Sequence, residues 1–275
     1  MNSDQTVKDV QMKILEIMKF IDQLCRENHI EYCIMGGTAL GAVRHGGFIP
    51  WDDDLDIFMK PDQYRKFKKV FHKAAQDRFV IQEWKTTERY VEYAKVRMNG
   101  TTFIEKNFVN NKTMHQGIYV DIMMLHKIPQ NPLIQRMVYL ESKFVVLYAL
   151  SQRNWIPKNQ VQKAALLLLH ILPCQLMAKT AYRHIYRYDN MTDNYMYCYW
   201  LTPAKFRNGL FHRSFFDRTK DIPFEDTVLL CPEKIREYLK YRYGDYMKLP
   251  SAEQQNAAVH AYIFDTQKDY TEYIR

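Results

Sequence analysis

The chain has 275 residues, 47% of them hydrophobic and 25% charged, which is within globular norms and enough to bury one large core or two modest ones. Its 39 Lys and Arg against 31 Asp and Glu give a formal charge of +8, a long-range bias toward polyanions such as nucleotides, phosphate polymers, nucleic acid or an anionic membrane. Cys25, Cys33, Cys174, Cys198 and Cys231 are scattered without a C-x-x-C pair, which excludes a disulfide framework and a structural zinc site and suits a reducing cytoplasm.

In chain order, the N-terminus lacks the basic-then-apolar order of a signal peptide. The segment "VQMKILEIMKFIDQLCREN" spaces Met12, Ile14, Leu15, Met18, Ile21 and Leu24 as an amphipathic helix. "IEYCIMGG" reads as a short buried strand running into a glycine turn, "TALGAVRH" as a brief helix and "DLDIFM" as a half-buried strand. A second helix, "PDQYRKFKKVFHKAAQD", starts on Pro61, where proline is tolerated. Strand patterns follow in "RFVIQEW", "YVEYAKVRM", "TTFIE" and "GIYVDIMML", with "VNNKT" as a turn.

After the proline-marked break "KIPQNP" the patterns lengthen into helices at 133–151 and 159–188, then a mixed region and a last helix running into "YGDYMKLPS". The expected division is an α/β catalytic domain at 1–130 and a mostly helical region at 131–275 packed against it. The apolar run "AALLLLHILPCQLMA" at 164–178 is shorter than the ~18 residues of a span and holds His170 and Pro173. It reads as a buried helix, the alternative being a membrane-contacting one.

The chemistry is concentrated in "IMGGTALGAVRHGGFIPWDDDLDIFM", residues 34–59. A Gly36-Gly37 turn between a strand and a helix start lets backbone N–H groups approach a phosphate where the helix end favours negative charge. Asp54 and Asp56 lie two apart, so on a strand they share a face and can hold one divalent cation, with Leu55 and Ile57 turned to the core. Mg²⁺ or Mn²⁺ takes oxygen ligands and bridges to substrate phosphates. Asp121 is the one acid within the apolar strand "GIYVDIMML" and needs a partner when buried; a metal is one such partner, which makes it the candidate third carboxylate. Asp52 and Asp53 read as capping or solvated residues.

Gly36, Gly37, Thr38, Arg44, His45, Lys95 and Arg97 are the candidate donor-phosphate contacts. Arg44 suits bidentate phosphate contact, whereas His45 is equally a structural hydrogen bonder. Lys95 and Arg97 share a strand face, and their alternative is an exposed basic surface. The aromatic cluster "YRHIYRYDNMTDNYMYCYW" at 182–200 could cradle a quaternary ammonium, although such stripes more often build core.

The segment "GGTALGAVRHGGFIPWDDDLDIFM" resembles the signature of the LicD family, which includes bacterial phosphocholine transferases and, more distantly, fukutin-type ribitol-phosphate transferases of the polymerase-β-like nucleotidyltransferase superfamily. "YAKVRMNGTTFIEK", "GIYVDIMML" and "FEDTVLLCPEKIREYLKYRYGDYMKLPS" resemble later family segments, whereas 133–205 does not match. Met123-Met124 stands where members often have phenylalanine-proline, and Asp226 where they often have glycine. The resemblance implies an α+β fold: a nucleotidyltransferase-like mixed sheet with flanking helices, followed by a mostly helical half.

It also implies transfer of phosphocholine from CDP-choline to a hydroxyl of a cell-surface glycan precursor, such as teichoic acid or lipopolysaccharide, releasing CMP. Asp54, Asp56 and Asp121 then map to the metal and catalytic acids, with Asp121 orienting or deprotonating the acceptor hydroxyl. The competing readings are the same fold using CDP-glycerol or CDP-ribitol, a nucleotidyltransferase acting on RNA or a small molecule, and a catalytically dead interaction module. No nucleic-acid partner is expected. The location expected is cytoplasmic, with peripheral contact at the inner face of an anionic membrane through 164–178 and its flanking Lys163, Lys179, Arg183 and Arg187.

Overall fold

A computed structural model describes residues 6–83, 93–109, 111–152, 157, 159–251, 253, 255 and 260–274. The fold is α+β, as expected. The strand ends expected at Trp84 and at Tyr90 to Glu92, and Asn110 of the expected turn, lie outside the described residues.

The chain divides into two compact units, and not at a single cut near residue 130. The first comprises Met1–Gln82, Ala94–Met123 and Ser214–Arg275; the second comprises Glu83–Tyr93 and Met124–Arg213. The C-terminal segment Ser214–Arg275 therefore rejoins the N-terminal α/β unit. The physical reason is that their elements supply packing partners far away in sequence, which periodicity does not encode.

In the first unit, helix α1 (Val7–Glu27) buries Val10, Ile14, Ile17, Met18, Ile21 and Leu24 along one stripe. The Asp9 carboxylate accepts from the Thr6 N–H at 2.6 Å and closes its first turn. Five strands form the main sheet in the order β1-β2-β6-β4-β3: β1 (Cys33–Ile34), β2 (Asp56–Met59), β3 (Phe79–Gln82), β4 (Tyr93–Met98) and β6 (Tyr119–Met124). β1 runs antiparallel to β2 with Ile34 opposite Ile57, and β3 runs antiparallel to β4. Leu55 and Ile57 are fully buried, so truncation of either to alanine costs about 2–5 kcal/mol.

Helix α2 (Gly36–His45) starts at the glycine pair and ends on left-handed Gly46, and α3 (Pro61–Ala74) starts on Pro61. β5 (Thr102–Glu105) pairs antiparallel with β12 (Ala261–Asp265). β10 (Thr219–Phe224) and β11 (Thr227–Pro232) form a hairpin that packs on α1, α2 and β1 and leads to α7 (Ile235–Tyr243).

The second unit holds the antiparallel sheet β7-β8-β9 (His126–Pro129, Tyr195–Cys198, Leu210–His212) and three helices, α4 (Pro132–Ser151), α5 (Gln160–Ile171) and α6 (Gln175–Tyr186). Asn131 caps α4 and Asn159 caps α5 through their side chains. Ile128, Val138, Val145, Ile185 and Trp200 centre its core. Tyr195, Tyr197, Tyr199 and Trp200 of the aromatic cluster are at most 5% exposed, the core alternative of the two readings.

The helix expected over 159–188 is two helices. Leu172 is extended (φ −75°, ψ 143°) because the ring of Pro173 disfavours the helical region for the residue before it, and the α5 and α6 axes are bent by 103°. The buried-helix reading of 164–178 is also overturned. Leu166, Cys174 and Ala178 face inward, but Leu167, Leu168, Ile171, Leu172, Leu176 and Met177 are exposed. Among the described residues no single helix is long and apolar enough to cross a membrane.

Candidate active site

The carboxylates gather because three separate elements deliver them to one place in the first unit. Gln11, buried on α1, donates through Nε2 to the carbonyls of Ile49 and Asp52 and so fixes the loop ahead of β2. The Asp121 N–H of β6 donates to the Leu55 carbonyl at 3.0 Å, and the Met35 N–H donates to the Asp56 carbonyl at 3.1 Å. Asp54 lies just outside β2, whose first residue is Asp56. The alternation still holds across both, since Leu55 and Ile57 are turned inward.

Crowding among these acids shows in their proton affinities. Burial, then the charge of neighbouring Asp54, pushes Asp52 up to about 8. Burial raises Asp54, with Asp121 and Asp53 adding repulsion, and it raises Asp56 well above the usual carboxylate range with Asp54 and Asp121 adding to it. A cluster that resists holding its full negative charge is the donor set a hard cation relieves.

The fit to a cation rests on geometry as well. Asp52, Asp54 and His260 each place a ligand atom within 4.8 Å of the others. Asp121 lies beside them with its two carboxylate oxygens 2.9 and 3.0 Å from Lys95 Nζ, so the Lys95 ammonium already offsets part of the cluster's negative charge. His260 is held up to about 9, chiefly by its hydrogen bond to Asp53, so an imidazolium and a metal ion compete for the same carboxylates. Cation binding there would release a proton.

The glycine turn serves this cluster directly. Gly36 has φ +54°, a left-handed conformation that favours glycine. A Cβ on Gly37 would lie 2.9 Å from Asp52 Oδ2, so a side chain there would push the carboxylate away. The Gly36 N–H is committed to the Tyr238 hydroxyl at 3.0 Å, which leaves the N–H groups of Gly37 and Thr38 as the open donors at the α2 N-terminus among the described residues. The Thr38 hydroxyl accepts from the Asp56 N–H at 2.9 Å, so that side chain positions Asp56.

Along α2 runs a cleft of about 800 Å³ whose lining includes Gly37, Arg44, Trp51, Asp52, Tyr243 and Tyr246. Arg44 Nη1 donates to the Tyr246 carbonyl at 3.1 Å and so ties the segment after α7 to the cleft wall. His45 accepts from Arg44 Nε, packs edge-on to Trp51, and has its proton affinity lowered by burial and by Arg44.

Lys95 and Arg97 do not form an exposed basic face; they are 2% and 1% exposed. Lys95 Nζ donates to Asp121 Oδ2 at 3.0 Å and sits 3.1 Å over the Tyr119 ring. Arg97 donates to Gln82 Oε1 and the Gly117 carbonyl at 2.8 and 2.6 Å. Arg97 is thus committed to protein acceptors, and Lys95 is the counter-charge of Asp121.

Sequence reasoning passed over four contributors. Asp52 and Asp53 are not solvated caps: Asp52 stands with Asp54 and His260 in a group that could hold a cation, while Asp53 is 1% exposed and accepts from the His260 and Ala261 N–H groups at 2.9 and 2.8 Å. His260 lies 207 residues from the Asp53 carboxylate it meets, and Tyr238 lies 202 residues from the Gly36 N–H it accepts from. No local spacing signals such partners.

Residues 29–133 match the LicD/FKTN/FKRP nucleotidyltransferase domain. The chain carries a LicD-family domain. Over 253 residues it is 26% identical to the lipopolysaccharide cholinephosphotransferase LicD of Haemophilus influenzae, a match covering 91% of this chain and 94% of that protein. An uncharacterised Rickettsia prowazekii protein is 29% identical over 148 residues, 52% of each chain. An uncharacterised Rickettsia typhi protein is 42% identical over 59 residues, 22% of this chain and 19% of that one. The LicD domain contains the glycine turn and all the clustered aspartates, whereas His260, Tyr238, Tyr243 and Tyr246 come from beyond it.

Proposed function

We propose that this chain transfers phosphocholine from CDP-choline to a hydroxyl of a lipopolysaccharide-type or other cell-surface glycan precursor and releases CMP. The observation that carries the reading is the aspartate cluster at the open N-terminus of α2, in a chain that aligns with nearly the whole H. influenzae cholinephosphotransferase. Asp52, Asp54 and His260, with Asp56 and Asp121 beside them, would hold a divalent ion, Mg²⁺ or Mn²⁺ by ligand type. Such an ion supplies charge neutralisation on the pyrophosphate and its developing leaving group.

The chain's own groups account for the rest. The Gly37 and Thr38 N–H groups bind donor phosphate oxygens, and Arg44 at the cleft wall adds positive charge. The acceptor hydroxyl oxygen attacks the phosphorus that bears choline while the bond to the CMP oxygen breaks. Asp121, oriented by Lys95, orients that hydroxyl and takes its proton. Trp51, Tyr243 and Tyr246 offer aromatic faces for a trimethylammonium that cannot hydrogen-bond, and Asp245 adds a nearby negative charge.

The test is CMP release from CDP-choline, CDP-glycerol and CDP-ribitol in turn, with Mg²⁺ and glycan acceptors. Release from CDP-choline is expected. Release confined to CDP-glycerol or CDP-ribitol would move the assignment to the second donor class, and release from none would sink it.

A further inference from the structure

We propose that the bend between α5 and α6 is a membrane-docking wedge that seats on an anionic lipid surface. At this bend Leu167, Leu168, Ile171, Leu172, Leu176 and Met177 are 45–73% exposed, a run of outward apolar side chains on two successive short helices and the turn between them. The inner faces of the two helices are already satisfied: α4 packs against both, and Leu166, Cys174, Ala178 and Ile185 are buried. The outer apolar residues therefore remain after the unit's own core is complete.

Charge identifies the occupant. Residues 159–188 contain no Asp or Glu, and Lys163, Lys179, Arg183 and Arg187 are all exposed. At 1.5 Å per residue, Lys179, Arg183 and Arg187 lie ~5, ~10 and ~16 Å along the chain axis from Leu176, and Lys163 lies ~12 Å from Ile171. An apolar tip with a basic collar at that height matches the ~5–10 Å depth to which interfacial helices bury, with cations left at the phosphate level. A second copy of the chain is disfavoured as the occupant, because it would set one acid-free basic collar against another. With its axes bent by 103°, the pair forms a wedge rather than a span.

The full chain is sedimented with vesicles of phosphatidylcholine alone and of phosphatidylcholine mixed with phosphatidylglycerol, at low and high salt. Salt-sensitive binding to the mixed vesicles is expected, weakened about fivefold for each charge removed in Lys179→Gln and Arg183→Gln. Leu176→Ser with Met177→Ser should weaken it by more than ~10-fold, at an unchanged melting temperature, since both side chains are already in water. Binding should persist in Asp54→Asn, which separates the wedge from the transferase reading. Absence of binding to the mixed vesicles, or binding that the tip variants leave unchanged, overturns the proposal. So does a lipid-free dimer that the serine substitutions dissolve, which would make the tip a contact between copies.

Discussion

The two units depart from the usual partition of polar and apolar groups in opposite senses. Around the main sheet, charge is inside: Lys95, Arg97, Asp53 and Asp121 are at most 7% exposed. At the α5–α6 bend, hydrocarbon is outside, with Ile171 and Leu176 at 70% and 73%. Buried charge is tolerated only where partners answer it, and Asp121 answers Lys95 while Gln82 and Gly117 answer Arg97. Exposed leucines have no such answer among the described residues. The lesson is that each departure marks chemistry the fold leaves unfinished: too many carboxylates in the first unit, too little apolar cover in the second.

The largest expected effect tests the carboxylates. Asp54→Asn and Asp56→Asn should each lower the CMP-release rate by ~10³-fold or more, through lost charge stabilisation of phosphoryl transfer. Asp56→Asn should at the same time melt no lower than the parent, because its carboxylate is disfavoured in the folded state by burial and by Asp54. Parallel loss of stability and activity would mean that these acids hold the fold together instead.

Lys95→Met tests whether the buried charge is truly paired. It strands Asp121 without its counter-ion and should cost about 3–5 kcal/mol in urea unfolding. An unchanged midpoint would show that the pair contributes nothing.

A smaller effect is expected from His115, whose proton affinity is lowered to about 4 by burial first and by Arg97 second. Its Nδ1 accepts from the Gly117 N–H at 3.1 Å, and its Nε2 pairs with Asn99 Oδ1 at 2.8 Å, an arrangement that requires the neutral ring. Because the folded value lies below the unfolded one, its contribution is complete above about pH 6.5 and is lost as the pH falls toward 4. Thermal melts over that range should show a shallower fall for His115→Gln than for the parent. Equal slopes would remove His115 from the acid sensitivity.

The smallest effect belongs to the exposed tip, where Ile171→Ser should change unfolding stability by no more than about 0.5 kcal/mol. A cost of about 2 kcal/mol or more, typical of a buried aliphatic, would restore the buried-helix reading of 164–178.

Much of the site was legible because its signals are local. The glycine pair, the β1–α2–β2 order and the alternation of Asp54, Leu55, Asp56 and Ile57 follow from strand and helix periodicities that act over a few residues. The LicD signature lies in that same continuous stretch.

Other features depend on partners distant in sequence, and tertiary structure decided them. Asp53 looked like part of a solvated acidic run, and becomes buried because the N–H groups of His260 and Ala261 close over it. Arg97 was open between a phosphate contact and an exposed basic face, and it is buried because Gln82 and the Gly117 carbonyl take its donors. The run 164–178 was apolar enough for a core, but Pro173 splits it and α4 covers only one of its faces. By itself the sequence determined periodicity, capping and the spacing of the aspartates, since these are properties of a few neighbouring residues. Which charges are buried and which leucines meet water depends on surfaces that exist only once distant segments have packed.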